Sequence, residues 1–183
     1  LALKPGRNEV AFQEIITNVK PWSAEHPNLY TLLITVNGES TAIKVGFRTI
    51  KIENRQFLVN GEPVLIKGVN FHDHSDTEGH VVSETLTLKD MELMKQNNIN
   101  AIRCSHYPKD PHFYRLADHY GFYVIDEANI ETHGVRGLLA NDLDWNQMYM
   151  ERVIRLLERD KNHPSVIMWS LGNESGMAPN HAG

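Results

Sequence analysis

The sequence has one cysteine, no excess of basic residues and no long apolar run, and each shortage excludes a class of protein. Because Cys104 is the one cysteine among 183 residues, no intrachain disulfide can form. The formal net charge of −5 argues against a nucleic-acid partner, since such a partner requires a basic face. No apolar run approaches the roughly 20 residues that cross a bilayer, so we expect no membrane partner.

The first fifty residues favour β structure. Short apolar segments lie at 10–12 and 15–16, and residues 29–36 are rich in strand formers. Asn37-Gly38 is a strong two-residue hairpin turn before the next apolar segment at 42–47. Short strands at this spacing are typical of a sandwich. We therefore assign residues 1–50 to the C-terminal part of a β-sandwich domain.

From residue 51 onward the pattern changes to alternating strands and helices. A small hairpin at 49–63, turning at Asn60-Gly61, leads into it. Four apolar strands are then predicted, at 64–68, 100–104, 122–125 and 165–169. Helical spacing separates them, and the alternation predicts a parallel sheet covered on both faces. A doubly wound sheet and a (β/α)₈ barrel both fit, although no glycine-rich phosphate loop follows the first strand.

Each of the four predicted strands is followed by polar, reactive residues. They are Asn70, His72, Asp73 and His74; Arg103, Ser105 and His106; Asp126, Glu127, Asn129, Glu131 and His133; and Asn173 and Glu174. A barrel enzyme gathers its site at the carboxyl ends of its strands. The coincidence of four segments therefore indicates an active site more strongly than any single residue does.

Taken singly, these residues also have structural interpretations. His72 suits a solvated loop and His106 suits a turn as well as each suits a site. At least one of Asp126 and Glu127 is expected to have a structural role. The Glu131-x-His133 pair suits a hard cation, but two ligands at this spacing are a weak motif.

Glu174 has the most specific chemical interpretation. It follows a buried apolar strand, and we expect shielding from water to favour the protonated form that a general acid requires. The structural alternative is a glutamate in the first turn of a helix. Residues 173–175 also match the N-glycosylation sequon, which a position at the end of a core strand argues against.

Four stretches resemble the β-galactosidases of glycoside hydrolase family 2. They are RCSHYP at 103–108, DEANIETHG at 126–134, RDKNHP at 159–164 and WSLGNE at 169–174. Residues 22–30 and 46–48 are similar to the immunoglobulin-like domain that precedes the family's catalytic barrel. The stretch at 126–134 favours galactosides over the substrates of the related β-glucuronidases. The resemblance implies an immunoglobulin-like part at 1–50 and the first half of a TIM barrel at 51–183.

The resemblance also implies a retaining glycoside hydrolase that cleaves terminal, lactose-like β-D-galactosides by double displacement. Glu174 would be the acid/base, and Asn173 would contact the sugar 2-hydroxyl. His72 and His106 would bind the sugar. Mg²⁺ would be held by Glu131, His133 and Glu174. The first loop departs from the best-known members, because Phe71 and Asp73 stand where they carry Arg and Glu.

We expect the chain to be part of a longer protein, cytoplasmic or periplasmic, since Leu1 is neither an initiator methionine nor the start of a signal peptide. A (β/α)₈ barrel requires roughly 250 residues. The resemblance places the nucleophile on a later strand, beyond Gly183. We therefore expect the chain alone to be inactive, and the parent protein to be a homo-oligomer.

Two other functions fit parts of the pattern. His72-x-His74 after the first strand resembles the histidine pair of metal-dependent amidohydrolase barrels, for which stoichiometric zinc rather than weakly bound magnesium is expected. A non-catalytic sugar-binding or assembly fragment is the second alternative. Calorimetry with galactose or lactose distinguishes it, because half of a site should bind negligibly.

Overall fold

The computed structural model describes residues 5–176 and 178–182. The strands are β1 Tyr30–Val36, β2 Glu39–Val45, β3 Ile50–Glu53, β4 Gln56–Val59, β5 Glu62–Pro63, β6 Gly68–Phe71, β7 Ala101–Cys104, β8 Tyr123–Glu127 and β9 Val166–Ser170. The α-helices are α1 Glu84–Gln96, α2 Pro111–Tyr120, α3 Leu138–Asn141, α4 Asn146–Asp160 and α5 Pro179–Ala182. Short 3₁₀ helices lie at His133–Val135 and Leu143–Trp145. Among these residues, no helix has the length and apolar character needed to cross a bilayer.

The sandwich part is represented by the antiparallel hairpin β1–β2. Its turn uses positive φ at Asn37 (51°) and Gly38 (86°), so the predicted hairpin is confirmed. Residues 5–29 contain no strand, and the expectation of β segments at 10–12 and 15–16 is wrong. Every residue of β1 is exposed, because a lone hairpin cannot bury a core of its own.

The predicted hairpin at 49–63 is a three-stranded sheet, β3–β4–β5. Asn54-Arg55 makes the first turn and Asn60-Gly61 the second, all four with positive φ. This sheet contributes to a buried cluster at the amino-terminal end of the parallel strands. The cluster comprises Trp22, Ala24, Val59, Ala101, Tyr123 and Ile167. The amino-terminal end of the parallel sheet is thereby closed, while its carboxyl end stays open.

The sheet that positions the site is parallel, with strand order β6-β7-β8-β9. Spatial order follows chain order throughout, as in a barrel, whereas a doubly wound sheet reverses its order at a switch point. Helices α1 and α2 cover one face through Met91, Phe113 and Tyr114, which pack on Ile102 and Val124. The sheet is therefore a four-strand arc of a (β/α) barrel.

The first parallel strand lies later in the chain than predicted. It spans Gly68–Phe71 instead of 64–68, because Val64 and Ile66 pack against the cluster at the closed end. A Cβ at Gly68 would lie 3.2 Å from the Cβ of Ala101, so glycine allows the close approach of β7. The shift places His72 directly after the strand.

Helix α2 begins and ends as its sequence predicts. The side chain of Asp110 accepts a hydrogen bond from the His112 amide at 3.0 Å, and Pro111 occupies the first turn. Gly121 ends the helix at φ 76°, where a Cβ would lie 2.3 Å from the carbonyl oxygen of Ala24. The helix therefore delivers the chain into β8 in a fixed register.

Candidate active site

Polar side chains from all four parallel strands meet at the open, carboxyl end of the sheet. The most buried of them is Glu127 at the end of β8, whose side chain is 0% exposed. Its Oε1 accepts a hydrogen bond from Nδ1 of His106 at 2.7 Å. Its Oε2 accepts from Nε of Arg103 at 2.7 Å and from the hydroxyl of Ser170 at 2.7 Å. One carboxylate thus joins β7, β8 and β9.

Arg103 extends this network to the loop after β9. Its Nη2 donates to Oδ1 of Asn173 at 2.9 Å, and its Nη1 donates to Oδ1 of Asn70 at 3.3 Å. The Asn173 backbone amide donates to the Ile130 carbonyl at 2.8 Å. Because Oδ1 of Asn173 is already an acceptor here, its side-chain NH₂ is the group left to donate to a ligand.

The two histidines predicted to bind sugar lie together. The ring centroids of His72 and His106 are 5.1 Å apart, and the peptide bond before His106 is cis. The pKa of His72 is lowered, first by partial burial of its ring and then by the neighbouring His106 and Lys109. A neutral imidazole at pH 7 follows, which suits hydrogen bonds with uncharged hydroxyl groups. His72 and His74 are both exposed, whereas His106 is half-buried.

Glu174 lies beside this cluster, in a turn that leaves the sheet. After Ser170 the chain passes through Gly172, where a Cβ would lie 2.5 Å from the Ile130 carbonyl oxygen, and Glu174 has a φ of 45°. Its carboxylate pairs with Nδ1 of His133 and its side chain is 57% exposed. The expectation that Glu174 is shielded from water is therefore wrong, because this residue follows the buried strand but lies outside it.

The three predicted magnesium ligands come from two adjoining loops. Residues Glu131 and Asn173 form a parallel β-bridge, which brings Glu174 next to His133. Oε1 of Glu131 accepts the backbone N–H of His133 at 2.7 Å. The two carboxylates suit a hard cation that keeps some of its waters, with the imidazole completing the shell. Among the described residues, no three His, Cys, Asp or Glu side chains lie close enough together to hold a metal. These three residues therefore match a metal site by the type of their donor atoms and not by their distances.

Phe71 and Asp73, the two residues of the first loop that depart from the best-known family members, both lie beside the buried side chain of Lys109. Nζ of Lys109 lies 3.5 Å from Oδ2 of Asp73, 3.8 Å from the Tyr107 ring centroid and 5.6 Å from that of Phe71. Burial lowers the pKa of Lys109, and Asp73 opposes that effect. The backbone amide of Asp73 donates to the Tyr107 hydroxyl at 3.0 Å. These contacts fix the backbone beside His72.

Asp126 faces away from the site, toward α2 and α4. Its Oδ1 accepts a hydrogen bond from the Tyr114 hydroxyl at 2.7 Å, and its side chain is fully buried. Burial, together with the neighbouring Asp160, raises the pKa of Asp126 to about 7. Of the acidic pair at the end of β8, Asp126 therefore belongs to the core and Glu127 to the site.

Family models match both parts of the chain. Residues 50–183 match the family described as glycosyl hydrolases family 2, TIM barrel domain, and residues 3–48 match glycosyl hydrolases family 2. The chain belongs to glycosyl hydrolase family 2. The predicted fold, a partial TIM barrel preceded by an immunoglobulin-like part, is confirmed, and the amidohydrolase interpretation is wrong.

The proteins similar to this family 2 chain include both a β-galactosidase and β-glucuronidases. A β-galactosidase from Alteromonas mediterranea is 48% identical over 187 residues, covering 97% of this chain and 18% of the relative. A β-glucuronidase structure from Faecalibacterium prausnitzii is 34% identical with a TM-score of 0.78, covering 86% of this chain and 27% of that one. A β-glucuronidase from Lactobacillus rhamnosus is 31% identical with a TM-score of 0.80, covering 90% and 29%. The chain thus spans less than a third of each of these relatives.

The sequence alone assigns no role to several residues of the candidate site. Glu127 is one of two adjacent acids that the sequence does not tell apart, and Ser170 directly follows the apolar run at 165–169. Lys109 and Tyr107 follow His106 in a segment that suits a turn. A lysine that is 1% exposed is rare without a partner, so its contact with Asp73 marks a built feature of the site.

Proposed function

We propose that the protein containing this chain is a retaining β-galactosidase, and that this chain supplies its acid/base. The observation that carries the proposal is the network at the open end of the sheet, in which Arg103 holds Asn173 beside Glu174. Retaining glycosidases require two carboxyl groups about 5–5.5 Å apart. We place the second, the nucleophile, on a later barrel strand outside these 183 residues.

In the first chemical step Glu174 would donate its proton to the glycosidic oxygen as the bond to the sugar breaks. In the second step it would accept a proton from the water that releases the sugar from the nucleophile. Its position in an open turn suits both steps, since leaving group and water must each reach the same carboxyl group. The partner of Glu174 in this structure, His133, limits the directions in which that carboxyl group can point.

The sugar would be held by hydrogen bonds from side chains whose roles as donors or acceptors are set by their neighbours. Asn173 would donate through its NH₂ group to the sugar 2-hydroxyl, and His72 and His106 would bind other hydroxyl groups. Hydrogen bonds to the 2-hydroxyl strengthen in the transition state of glycoside hydrolysis. Residues that position this amide therefore contribute to rate as well as to binding.

We also propose that Glu131, His133 and Glu174 hold Mg²⁺. When bound, the ion would supply positive charge beside the Glu174 carboxyl group. Glu131 and His133 would restrict the rotation of the acid/base, in the manner of residues around a metal that orient a reacting group.

A galactoside is proposed in preference to a glucuronide, although the similar solved structures include β-glucuronidases. A glucuronide carries a carboxylate, which proteins recognise through an available cation. In the described site, Arg103 is neutralised by Glu127, and Lys109 is buried beneath Tyr107 beside Asp73. This arrangement offers hydroxyl-binding groups, which suits an uncharged sugar.

The test compares 4-nitrophenyl β-galactoside with 4-nitrophenyl β-glucuronide, using the full-length protein that contains this chain. We expect kcat/KM to favour the galactoside, and Glu174→Gln to lower kcat by at least about 100-fold. Glu92→Gln, an exposed carboxylate on α1, is the matched control and should leave kcat unchanged. A preference for the glucuronide contradicts the substrate, and activity within about tenfold in Glu174→Gln contradicts the acid/base.

A further inference from the structure

We propose that Glu127 is the positioning residue of this site, and that it sets which groups of His106 and Asn173 face the sugar. The inference rests on the proposed function, because it assigns a role within that reaction. Glu127 itself is fully buried and does not touch the substrate. It acts through Arg103 and His106, whose side chains are 27% and 23% exposed.

The carboxylate of Glu127 has its hydrogen bonds filled by three donors. Arg103 supplies a charged donor to Oε2, Ser170 supplies a neutral one to the same oxygen, and His106 supplies a donor to Oε1. A buried carboxylate without partners is strongly unfavourable. This set of donors therefore fixes all three side chains relative to one another, and with them the ends of three strands.

The contact with His106 determines where the imidazole carries its proton. A carboxylate only accepts hydrogen bonds, so the hydrogen between Oε1 of Glu127 and Nδ1 of His106 belongs to Nδ1. In a neutral ring this leaves Nε2 as an acceptor for a sugar hydroxyl. Without Glu127, the opposite tautomer becomes accessible and Nε2 would turn into a donor.

The contact with Arg103 determines which end of the Asn173 amide faces the sugar. Glu127 holds Nε of Arg103, and the same guanidinium then presents Nη2 to Oδ1 of Asn173 at 2.9 Å. The NH₂ group of Asn173 is left as the donor. One buried carboxylate therefore fixes a proton on Nδ1 of His106 and leaves Asn173 as a donor toward the same ligand.

The experiment is Glu127→Gln in the full-length protein. Glutamine keeps the size of the side chain but places an NH₂ group against either His106 or Arg103, both of which donate in the wild type. We expect kcat/KM for 4-nitrophenyl β-galactoside to fall by about 10–100-fold, as for other residues that orient a reacting group. The control is Asp126→Asn, the adjacent buried acid on the opposite face of the sheet, for which kcat/KM should stay within about twofold.

A double-mutant cycle separates positioning from a general loss of structure. If Glu127 acts partly through His106, the combined loss in Glu127→Gln/His106→Ala should be at least about fivefold smaller than the product of the two single losses. Should Glu127→Gln fail to fold, Ser170→Ala removes one donor from the same carboxylate and should lower kcat/KM severalfold with the melting temperature maintained.

Three results overturn the inference while leaving the proposed function intact. They are wild-type kcat/KM in Glu127→Gln, losses that multiply fully in the cycle, and, where that variant does not fold, wild-type kcat/KM in Ser170→Ala. An inactive full-length protein, or full activity in Glu174→Gln, overturns the proposed function instead and removes this inference with it.

Discussion

Asp126 precedes Glu127 in β8, and its replacement by asparagine tests what the buried face of the sheet requires. In the folded chain its Oδ1 accepts the Tyr114 hydroxyl, while its Oδ2 finds no donor among the described residues. The carboxyl group of Asp160 is a neighbour of Asp126. Two ionised carboxylates at this distance repel each other, so a proton on one of them is favoured. We therefore expect Asp126 to stay protonated in the folded state until pH rises to about 7.

The sign of the effect follows from the difference between the two states. The unfolded chain loses this proton near the ordinary pKa of 3.8, whereas the folded chain retains it up to about 7. The stability that the proton provides is complete below about pH 4 and is lost as pH rises to about 7. The gap corresponds to an upper bound of about 4 kcal/mol, and we expect about 2 kcal/mol because ionised groups gain some hydration by relaxation.

Asparagine mimics the protonated acid, since it accepts from Tyr114 and donates to Asp160 but cannot ionise. The melting temperatures of wild-type and Asp126→Asn full-length protein should therefore diverge as pH rises from about 4 to about 7, with the wild type losing more. Groups distant from Asp126 titrate alike in both proteins, so their contributions cancel in the comparison. Equal losses over this range would refute the assignment of the proton to Asp126.

Three further predictions concern the metal, the closed end of the sheet and the isolated chain. Removing divalent ions with a chelator should lower kcat about tenfold or more, with recovery on adding Mg²⁺, and a full rate without metal would contradict the proposed ion. Gly121→Ala should destabilise the protein by about 2 kcal/mol or more, since its Cβ would lie 2.3 Å from the Ala24 carbonyl oxygen. The control Gly79→Ala, whose Cβ would have nothing within 4 Å, should cost about 1 kcal/mol. Equal unfolding free energies for the two variants would contradict this prediction. The 183-residue chain alone should not hydrolyse 4-nitrophenyl β-galactoside. Hydrolysis by this chain that Glu174→Gln abolishes would contradict the proposal that the nucleophile lies outside these residues.

The sequence was most informative where strands end. Apolar runs followed by polar residues predicted which segments meet at the open end of the sheet, and the caps of α2 follow from Asp110, Pro111 and Gly121. The hairpin at Asn37-Gly38 was equally predictable, because few residue pairs accept positive φ twice. These are local rules, and the structure keeps them.

Other features depend on contacts that no local rule contains. The sequence predicts the first strand too early, since the run Val64-Leu65-Ile66 has no periodicity to separate a strand from a segment that packs at the closed end. The same lack of alternation before Asp126 and Glu127 left open which acid faces the site. The exposure of Glu174 depends on a turn after the strand, and so it could not be read from the apolar residues that precede it.

The central claim, that Glu174 is the acid/base of a retaining glycosidase, is tested most directly by the leaving-group dependence of Glu174→Gln. A 2,4-dinitrophenyl galactoside needs no protonation to react, so its first step should survive, whereas lactose hydrolysis should fall by at least about 100-fold. Azide needs no general base, so it should restore turnover of the activated substrate and yield a β-galactosyl azide. Equal losses on both substrates, with no rescue by azide, would contradict the claim.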